Sequence, residues 1–181
     1  MAIFTKSELT RVADNKVGYS QKSIIANEAR SYNKKAFSQT SIFLSHSHYD
    51  SVYVKDVVVF LSKLGVSVYV DWMDDTMPKE TSGKTAALLK QKIKENSKFL
   101  FLATNQSIES KWCNWEIGFG DAHKYVNNIA LLPLADDNIE WKGNEYLLIY
   151  PYIKESDLTK DYYRVVYPDG KEISLIDWLK Q

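Results

Sequence analysis

The segment Ser110-Lys-Trp-Cys-Asn-Trp-Glu-Ile-Gly118 decides the fold, together with the apolar run Phe99-Leu-Phe-Leu-Ala103 that precedes it. A polar stretch, 104–107, separates the two, so the order predicts a buried strand, a turn and a helix. On that helix Trp112 and Glu116 are four residues apart and share a face. A carboxylate beside a large aromatic, near the carboxyl end of a buried strand, lies where an open α/β sheet binds its ligand. The alternative is an amphipathic helix whose tryptophans belong to the core and whose glutamate is solvated.

The same alternation of strand and helix extends in both directions from this segment. Strands are predicted at residues 41–45, 66–70, 99–103, 129–132 and 146–150, and the helix after the third strand at 111–123. Asp50 is a candidate N-cap for a helix that ends at Gly65. Strands that alternate with helices indicate right-handed crossovers and a parallel sheet covered on both faces. We therefore expect the loops after Ser45, Asp71 and Ala103 to meet at the carboxyl edge of the sheet.

The two ends of the chain have patterns of their own. Residues 1–40 are polar with helical spacing, and they predict an N-terminal helical extension with a break at 15–18. Near the other end, 164–167 and 171–173 flank a Pro-Asp-Gly turn and predict a hairpin, after which Ser174 caps a final helix. The chain is thus divided into an extension (1–40), a main domain (41–150) and a C-terminal hairpin with a helix (151–181).

Composition narrows the classes of function. The 181 residues suit one domain, with 45% hydrophobic and 25% charged residues. Lys+Arg and Asp+Glu both number 23, so the zero net charge argues against a nucleic-acid partner and against electrostatic membrane binding. A single cysteine excludes an intrachain disulfide framework. The chain begins without a signal-peptide pattern and has no run long enough to span a bilayer, so we expect a soluble cytoplasmic protein.

The histidines do not predict a metal centre. His46-Ser-His48-Tyr-Asp50 is similar to the H-x-H-x-D-H signature of metallo-β-lactamase-like hydrolases, but Ser51 stands where the last histidine is needed. The chain has three histidines in total, which is too few for a dinuclear site. We expect no metal and interpret the loop as a polar segment that meets a ligand.

Two further motifs are rejected as catalytic. Gly83-Lys-Thr85 is similar to the end of a phosphate loop, but Pro78 occupies the position of the first glycine. Cys113 has no histidine close in sequence to activate it, so a packing role between two tryptophans is favoured.

Two features remain open at the level of sequence. An acidic loop follows the second strand and is either solvated or in contact with a ribose; its carboxylates are Asp71, Asp74 and Asp75. Gly118 and Gly120 each weaken a helix by about 1 kcal/mol relative to alanine. They predict that something packs closely there, either a neighbouring element or a second subunit.

The three edge loops together resemble a Toll/interleukin-1 receptor (TIR) domain. The similar segments are 42–50, 68–72, 98–104, 110–116 and 128–134, and Trp112-x-x-x-Glu116 matches the W-x-x-x-E pattern of the enzymatic branch. The resemblance covers about residues 41–150. It implies an α/β fold, a flavodoxin-like three-layer sandwich with a five-stranded parallel sheet in the order 2-1-3-4-5.

The resemblance also implies an activity. Bacterial TIR domains of this kind cleave NAD+, and many belong to anti-phage systems such as Thoeris, in which a modified or cyclised ADP-ribose activates a separate effector protein. NAD+ is then the substrate, no cofactor is required, and self-association is expected. Glu116 would stabilise the oxocarbenium-like centre formed when the nicotinamide–ribose bond breaks. The other candidate residues would bind substrate: Ser45, His46, Ser47, Asp71, Trp72 and Trp112.

Two competing functions remain. A non-enzymatic TIR adaptor would act by self-association alone, but it has no need of the carboxylate at Glu116. A nucleoside deoxyribosyltransferase-like enzyme would use a glutamate covalently on the N-glycosidic bond of free nucleosides. The presence of Glu116 favours the NAD+-cleaving enzyme over the adaptor, and a panel of substrates would separate it from the deoxyribosyltransferase-like enzyme.

Overall fold

The computed structural model describes residues 4–14, 40–78, 80, 82–137, 143–160 and 162–181. Within these residues the strands are β1 Phe4–Thr5, β2 Ser41–Ser45, β3 Ser67–Tyr69, β4 Lys98–Ala103, β5 Ile129–Ala135, β6 Tyr152–Glu155, β7 Tyr163–Val166 and β8 Glu172–Ser174. The α-helices are α1 Lys6–Asp14, α2 Ser51–Ser62, α3 Gly83–Glu95, α4 Asn105–Glu109, α5 Lys111–Lys124 and α6 Leu175–Lys180. Helices therefore alternate with strands through the centre of the chain, as the sequence predicts.

The strands form one sheet with the order β3-β2-β4-β5-β6-β7-β8. Neighbours from β3 to β6 are parallel, whereas β7 and β8 are antiparallel additions at one edge. β1 lies outside this path and pairs in parallel with the end of β5. The mostly parallel sheet with helices on both faces is the flavodoxin-like arrangement that the sequence predicts, although it has more strands than the predicted five.

Each central strand contributes to two separate cores because successive side chains point to opposite faces. In β2, Ile42 and Leu44 join a core cluster with α1, α2 and α6, while Phe43 joins a second cluster with α3 and α5. β4 alternates in the same way. A strand buried on both faces must be apolar throughout, which explains why these segments are continuous hydrophobic runs.

The described part of the N-terminal extension is integrated into the fold. Phe4 stacks on Tyr163 with ring centroids 5.5 Å apart, and Leu9 and Ala13 are fully buried. The helical spacing seen around Leu9 is thus confirmed by α1. The helical spacing between 15 and 39, and the break at 15–18, lie outside the described residues.

The predicted fifth strand at 146–150 is wrong. Residues Glu145–Ile149 form a 3₁₀ turn, and the strand begins at Tyr152. Leu147 and Tyr150 are buried while the residues between them are exposed, and this spacing of three suits a 3₁₀ turn. An apolar composition alone had suggested a strand.

The C-terminal predictions are confirmed. β7 and β8 form the hairpin, and Ser174 Oγ accepts the backbone N–H of Asp177 at 3.0 Å as the cap of α6. The fully buried Trp178 donates its indole N–H to the carbonyl of Asn127 at 2.9 Å. The hairpin continues the central sheet, and the proposed division of the chain into three parts stays a prediction.

Of two predicted boundaries, one is confirmed and one turns out differently. Gly65 has φ +79 and ends the turn after α2, as predicted. Residues 104–107, predicted as a turn, instead begin the short helix α4, which Thr104 caps by accepting the N–H of Ser107 at 3.0 Å. No helix among the described residues is long and apolar enough to cross a bilayer.

Candidate active site

The site is centred on a hydrogen bond between Ser45 and Glu116. Ser45 is the last residue of β2 and faces α5, because its neighbour Leu44 faces the opposite side of the sheet. Its hydroxyl donates to Glu116 Oε2 at 2.5 Å across 71 residues of sequence. Ser45 and Glu116 are 1% and 6% exposed. The two residues that the sequence placed at the edge of the sheet are therefore in direct contact.

Burial determines the protonation of Glu116. Removal from water raises the pKa of the carboxyl group to about 8, and the negative charge of Asp71 adds to this effect. The hydrogen bond from Ser45 acts in the opposite direction but is the smaller influence. In the absence of substrate the carboxyl is thus mainly neutral at pH 7. A nearby positive charge would favour its ionised form.

Cys113 lies beside this pair in surroundings that disfavour its thiolate form. Burial, with the charge of Glu116, raises the pKa of its thiol to about 12. The side chain is 1% exposed. A thiol that stays protonated and enclosed packs against its neighbours, as the sequence predicts.

His46 connects the end of β2 with the acidic loop. Its side chain is 4% exposed; Nδ1 lies 3.0 Å from the Leu44 carbonyl, and Nε2 lies 3.6 Å from Asp71 Oδ1. The bond to the carbonyl requires a proton on Nδ1, which leaves Nε2 directed at Asp71. The structure therefore brings His46 and Asp71 together, and Asp71 in turn influences Glu116.

The carboxylates of the acidic loop make different contacts. Asp74 accepts hydrogen bonds from Tyr69 Oη at 3.0 Å and from Thr76 Oγ1 at 2.6 Å, so it organises the loop itself. Asp71 accepts the backbone N–H of Trp72 at 2.8 Å and keeps a partly exposed carboxylate. Trp72 is 39% exposed beside it. Asp71 and Trp72 remain available to a ligand, and their binding roles stay predictions.

Asp50 occupies the N-cap position of α2, as the sequence predicts, but its side chain does not act as a cap. Its side chain makes no capping bond to α2. Instead the carboxylate, 1% exposed, accepts from Thr104 Oγ1 at 2.6 Å, which joins the β2 loop to the start of α4. Burial raises the pKa of Asp50, and the bond from Thr104 and the charge of Lys6 oppose that rise. Ser47, 5% exposed, accepts the backbone N–H of Asp50 through its carbonyl.

Trp112 is placed away from the Ser45–Glu116 pair. It is 38% exposed and packs edge-on against Trp115 with ring centroids 5.4 Å apart. Both rings line a cavity of about 350 Å³ between α3 and α5, together with Ala86, Lys90 and Lys111. Four-residue spacing puts Trp112 one turn from Glu116, but Glu116 faces the strand end while Trp112 faces this cavity. Its role in binding substrate stays a prediction.

Sequence reasoning missed two residues of this edge. Thr104 was assigned to a turn, although a hydroxyl directly after a buried strand is a recognisable cap signal. Lys6 approaches the edge from the N-terminal segment, and it carries no local pattern that marks it. Among the described residues, no group of three or more His, Cys, Asp or Glu side chains could hold a metal ion.

Comparison with known proteins adds to this geometry. A family model described as the TIR domain matches residues 42–164. The chain is 26% identical to a probable 3' cyclic ADP-D-ribose synthase ThsB' of Bacillus cereus (strain MSX-D12), over 196 aligned residues that cover 100% of both chains. It is also 33% identical over 90 residues to a putative cyclic ADP-D-ribose synthase TIR2 of Cytobacillus dafuensis, covering 48% of this chain and 23% of that protein.

Proposed function

The chain belongs to the TIR domain family, and from this we propose that it cleaves the nicotinamide N-glycosidic bond of NAD+ and closes the remaining ADP-ribose into a cyclic product. The observation that carries the proposal is the buried carboxyl of Glu116 at the carboxyl edge of the sheet, held by Ser45. The names of the two relatives, a probable and a putative cyclic ADP-D-ribose synthase, support the cyclic product.

The chemistry of this bond suits a single carboxylate. The bond between the ribose C1′ and the pyridinium nitrogen breaks, and its electron pair neutralises the ring, so nicotinamide leaves without a general acid. The positive charge moves to the ribose as an oxocarbenium-like centre. An ionised Glu116 in a water-poor site would stabilise that centre strongly. No step of this reaction requires a metal or a redox cofactor.

Substrate itself would bring Glu116 into its active form. Burial keeps the carboxyl protonated in the free protein up to about pH 8. The cationic nicotinamide ring of NAD+ would favour the carboxylate on binding, since an opposite charge nearby lowers the pKa of an acid. The proton would leave as substrate arrives, so kcat/KM should rise with pH towards about 8.

The fate of the oxocarbenium centre depends on what reaches C1′. Water gives ADP-ribose, whereas a nitrogen of the adenine or a hydroxyl of the second ribose gives a ring, with loss of the hydroxyl proton in the latter case. The buried setting of Glu116 and the ordered loop at Asp71 and Trp72 favour the internal nucleophile by limiting water.

The proposal extends to the biological setting. A cyclic nucleotide of this kind would act as a second messenger in anti-phage defence and activate a separate effector protein in the cytoplasm. Self-association is expected, and a strictly monomeric sedimentation profile at full activity would contradict it. Neither a nucleic acid nor a membrane is required as a partner.

Nicotinamide release from NAD+ is the decisive assay, with the second product identified by mass. Glu116→Gln should lower release by about 100-fold or more, because it removes the charge that stabilises the transition state. Glu109→Gln is the matched control, since Glu109 is exposed on α4 and should leave release unchanged.

Three outcomes would redirect the proposal. Equal release by Glu116→Gln and the unaltered protein would contradict the role of Glu116. No release under any condition, including lysate of phage-infected cells, would favour the scaffold. Turnover of free nucleosides with a covalent adduct on Glu116 would favour the deoxyribosyltransferase-like reaction.

A further inference from the structure

The N-terminal segment reaches the carboxyl edge of the sheet although the family match begins only at residue 42. β1 pairs with the end of β5, with Phe4 opposite Leu134 and Thr5 opposite Ala135. α1 then packs on α2, where Thr10 Oγ1 donates to Asp56 Oδ2 at 2.7 Å. The first side chain after β1 is therefore delivered to the same edge as Ser45.

That side chain is Lys6, which sits between carboxylates. Its Nζ donates to Asp136 Oδ1 at 2.5 Å and lies 4.6 Å from the centre of the Tyr53 ring. Burial acts to lower the pKa of Lys6, but the hydrogen bond and charge of Asp136, together with the charge of Asp50, raise it overall. Lys6 thus remains a cation at neutral pH, in electrostatic contact with two acidic side chains.

The edge around Lys6 is strongly acidic. Asp136 and Asp137 follow β5 directly, and Asp50 and Asp71 follow the β2 and β3 strands. Asp137 is itself held by the N-terminal segment, since it accepts from Ser7 Oγ at 2.7 Å. A dinucleotide bound here would bring a doubly negative pyrophosphate to this edge, where carboxylates of the same sign would repel it.

We infer that Lys6 is a positioning residue that compensates the charge of Asp136 and Asp50, so that the carboxyl edge accepts an anionic dinucleotide. Lys6 acts through these carboxylates and makes no bond to the reacting atoms. This inference rests on the proposed function, and it adds a residue from outside the matched family region to the substrate site.

The chain contains a matched control for this role. Lys63, after α2, donates to the carbonyl of Ala13 at 3.1 Å and therefore holds the other end of α1. α2 begins at the carboxyl edge of the sheet and ends at the opposite edge. Lys63 therefore contacts α1 at the end of that helix that lies away from the site. Lys63→Met should weaken the attachment of α1, as Lys6→Met should, but it should leave the charge of the carboxyl edge unchanged.

Steady-state kinetics with NAD+ would test the inference. We expect Lys6→Met to raise KM about tenfold with a smaller change in kcat, because substrate is repelled while Glu116 is untouched. Lys6→Arg should stay within about twofold, and Lys63→Met should match the unaltered protein. The double variant Lys6→Met/Asp136→Asn should recover most of the loss, since removing one carboxylate restores the balance of charge. Packing defects would not be repaired in this way.

Binding measurements separate this inference from the proposed function. In a Glu116→Gln background, calorimetry of NAD+ should show about tenfold weaker binding for Lys6→Met than for Lys63→Met. If the unaltered protein released no nicotinamide, the proposed function would fail, while this comparison would still decide the role of Lys6. Equal dissociation constants for the two lysine variants, or a double variant no better than Lys6→Met, would overturn it.

Discussion

Glu116 is a carboxyl group whose environment differs greatly between the folded and the unfolded chain. It is 6% exposed, and its described hydrogen-bond donor is the hydroxyl of Ser45. A buried acid whose described donor is a single hydroxyl favours its neutral form. Glu116 therefore stays mainly uncharged until a cationic substrate favours its ionised form, and a strongly shifted pKa of this kind is frequent among functional residues.

This property predicts how stability depends on pH. The folded protein keeps the Glu116 proton up to about pH 8, whereas the unfolded chain releases it near 4.5. Between these two pH values the folded state binds more protons than the unfolded state. The contribution of Glu116 to the stability of the protein therefore falls as pH rises through that interval. Glu116→Gln removes this loss, and its melting temperature should exceed that of the unaltered protein by roughly 5 °C at pH 8 but much less at pH 5.

The control for this prediction is Glu109→Gln, measured by thermal denaturation at both pH values. Glu109 is exposed, so the variant should follow the unaltered protein throughout. A stabilisation by Glu116→Gln of the same size at pH 5 and pH 8 would show that packing, and not ionisation, is responsible.

At the scale of elements, Gly120 allows α5 to pack closely against the sheet, because it has no side chain. A Cβ built on Gly120 would lie 3.0 Å from Cδ2 of Phe99 in β4, tighter than most real contacts of a Cβ atom. Gly118 is exposed, and a Cβ there meets nothing within 4 Å. The close packing that the sequence predicted is thus provided by β4 at Gly120 and has no counterpart at Gly118 among the described residues.

The two glycines form a matched pair of substitutions. Gly120→Ala should destabilise the protein by about 1–3 kcal/mol, because the buried Phe99 ring cannot withdraw. Gly118→Ala should be neutral or stabilising by up to about 1 kcal/mol, since alanine favours the helix and has space. Urea denaturation would measure both. A shift of both variants in the same direction would contradict this account of α5.

At the scale of the whole molecule, segments outside the family match complete the fold. The match to the family covers residues 42–164. Leu9 of α1 and Trp178 of α6 lie outside it, yet both are fully buried in the core cluster that the sheet forms with α1, α2 and α6. The N-terminal strand also pairs with β5 next to the site. The segments 4–14 and 175–180 therefore both contribute side chains to the hydrophobic core of the domain.

A core substitution in α1 would measure how much this segment contributes. Leu9→Ala should lower the free energy of unfolding by about 2–5 kcal/mol, because it opens a cavity in a closed core. Val12→Ala, at a partly buried position on the same helix, should cost less than half as much. If chemical denaturation showed no effect of Leu9→Ala, α1 would be an appendage that the core does not need.

Local patterns in the sequence determined the class of fold and the central residue of the site. Continuous apolar runs indicated strands buried on both faces, and their alternation with helices indicated a parallel sheet. That topology places β2 and α5 at one edge, so the contact of Ser45 with Glu116 follows from it despite a separation of 71 residues. The 3₁₀ turn before β6 was not predicted, because its apolar composition also suits a strand.

Only the tertiary structure decided which polar side chains meet. Lys6 and Asp136 are 130 residues apart, and Asp50 and Thr104 are 54 apart, with nothing in either local pattern to pair them. The position of Trp112 in the lining of the cavity likewise depends on how α3 packs beside α5. The sequence specifies the periodicity of apolar residues, because each residue of a helix or strand is either buried or exposed according to its position in that element. Charge pairing and protonation depend instead on distances and desolvation, which exist only once the elements have packed.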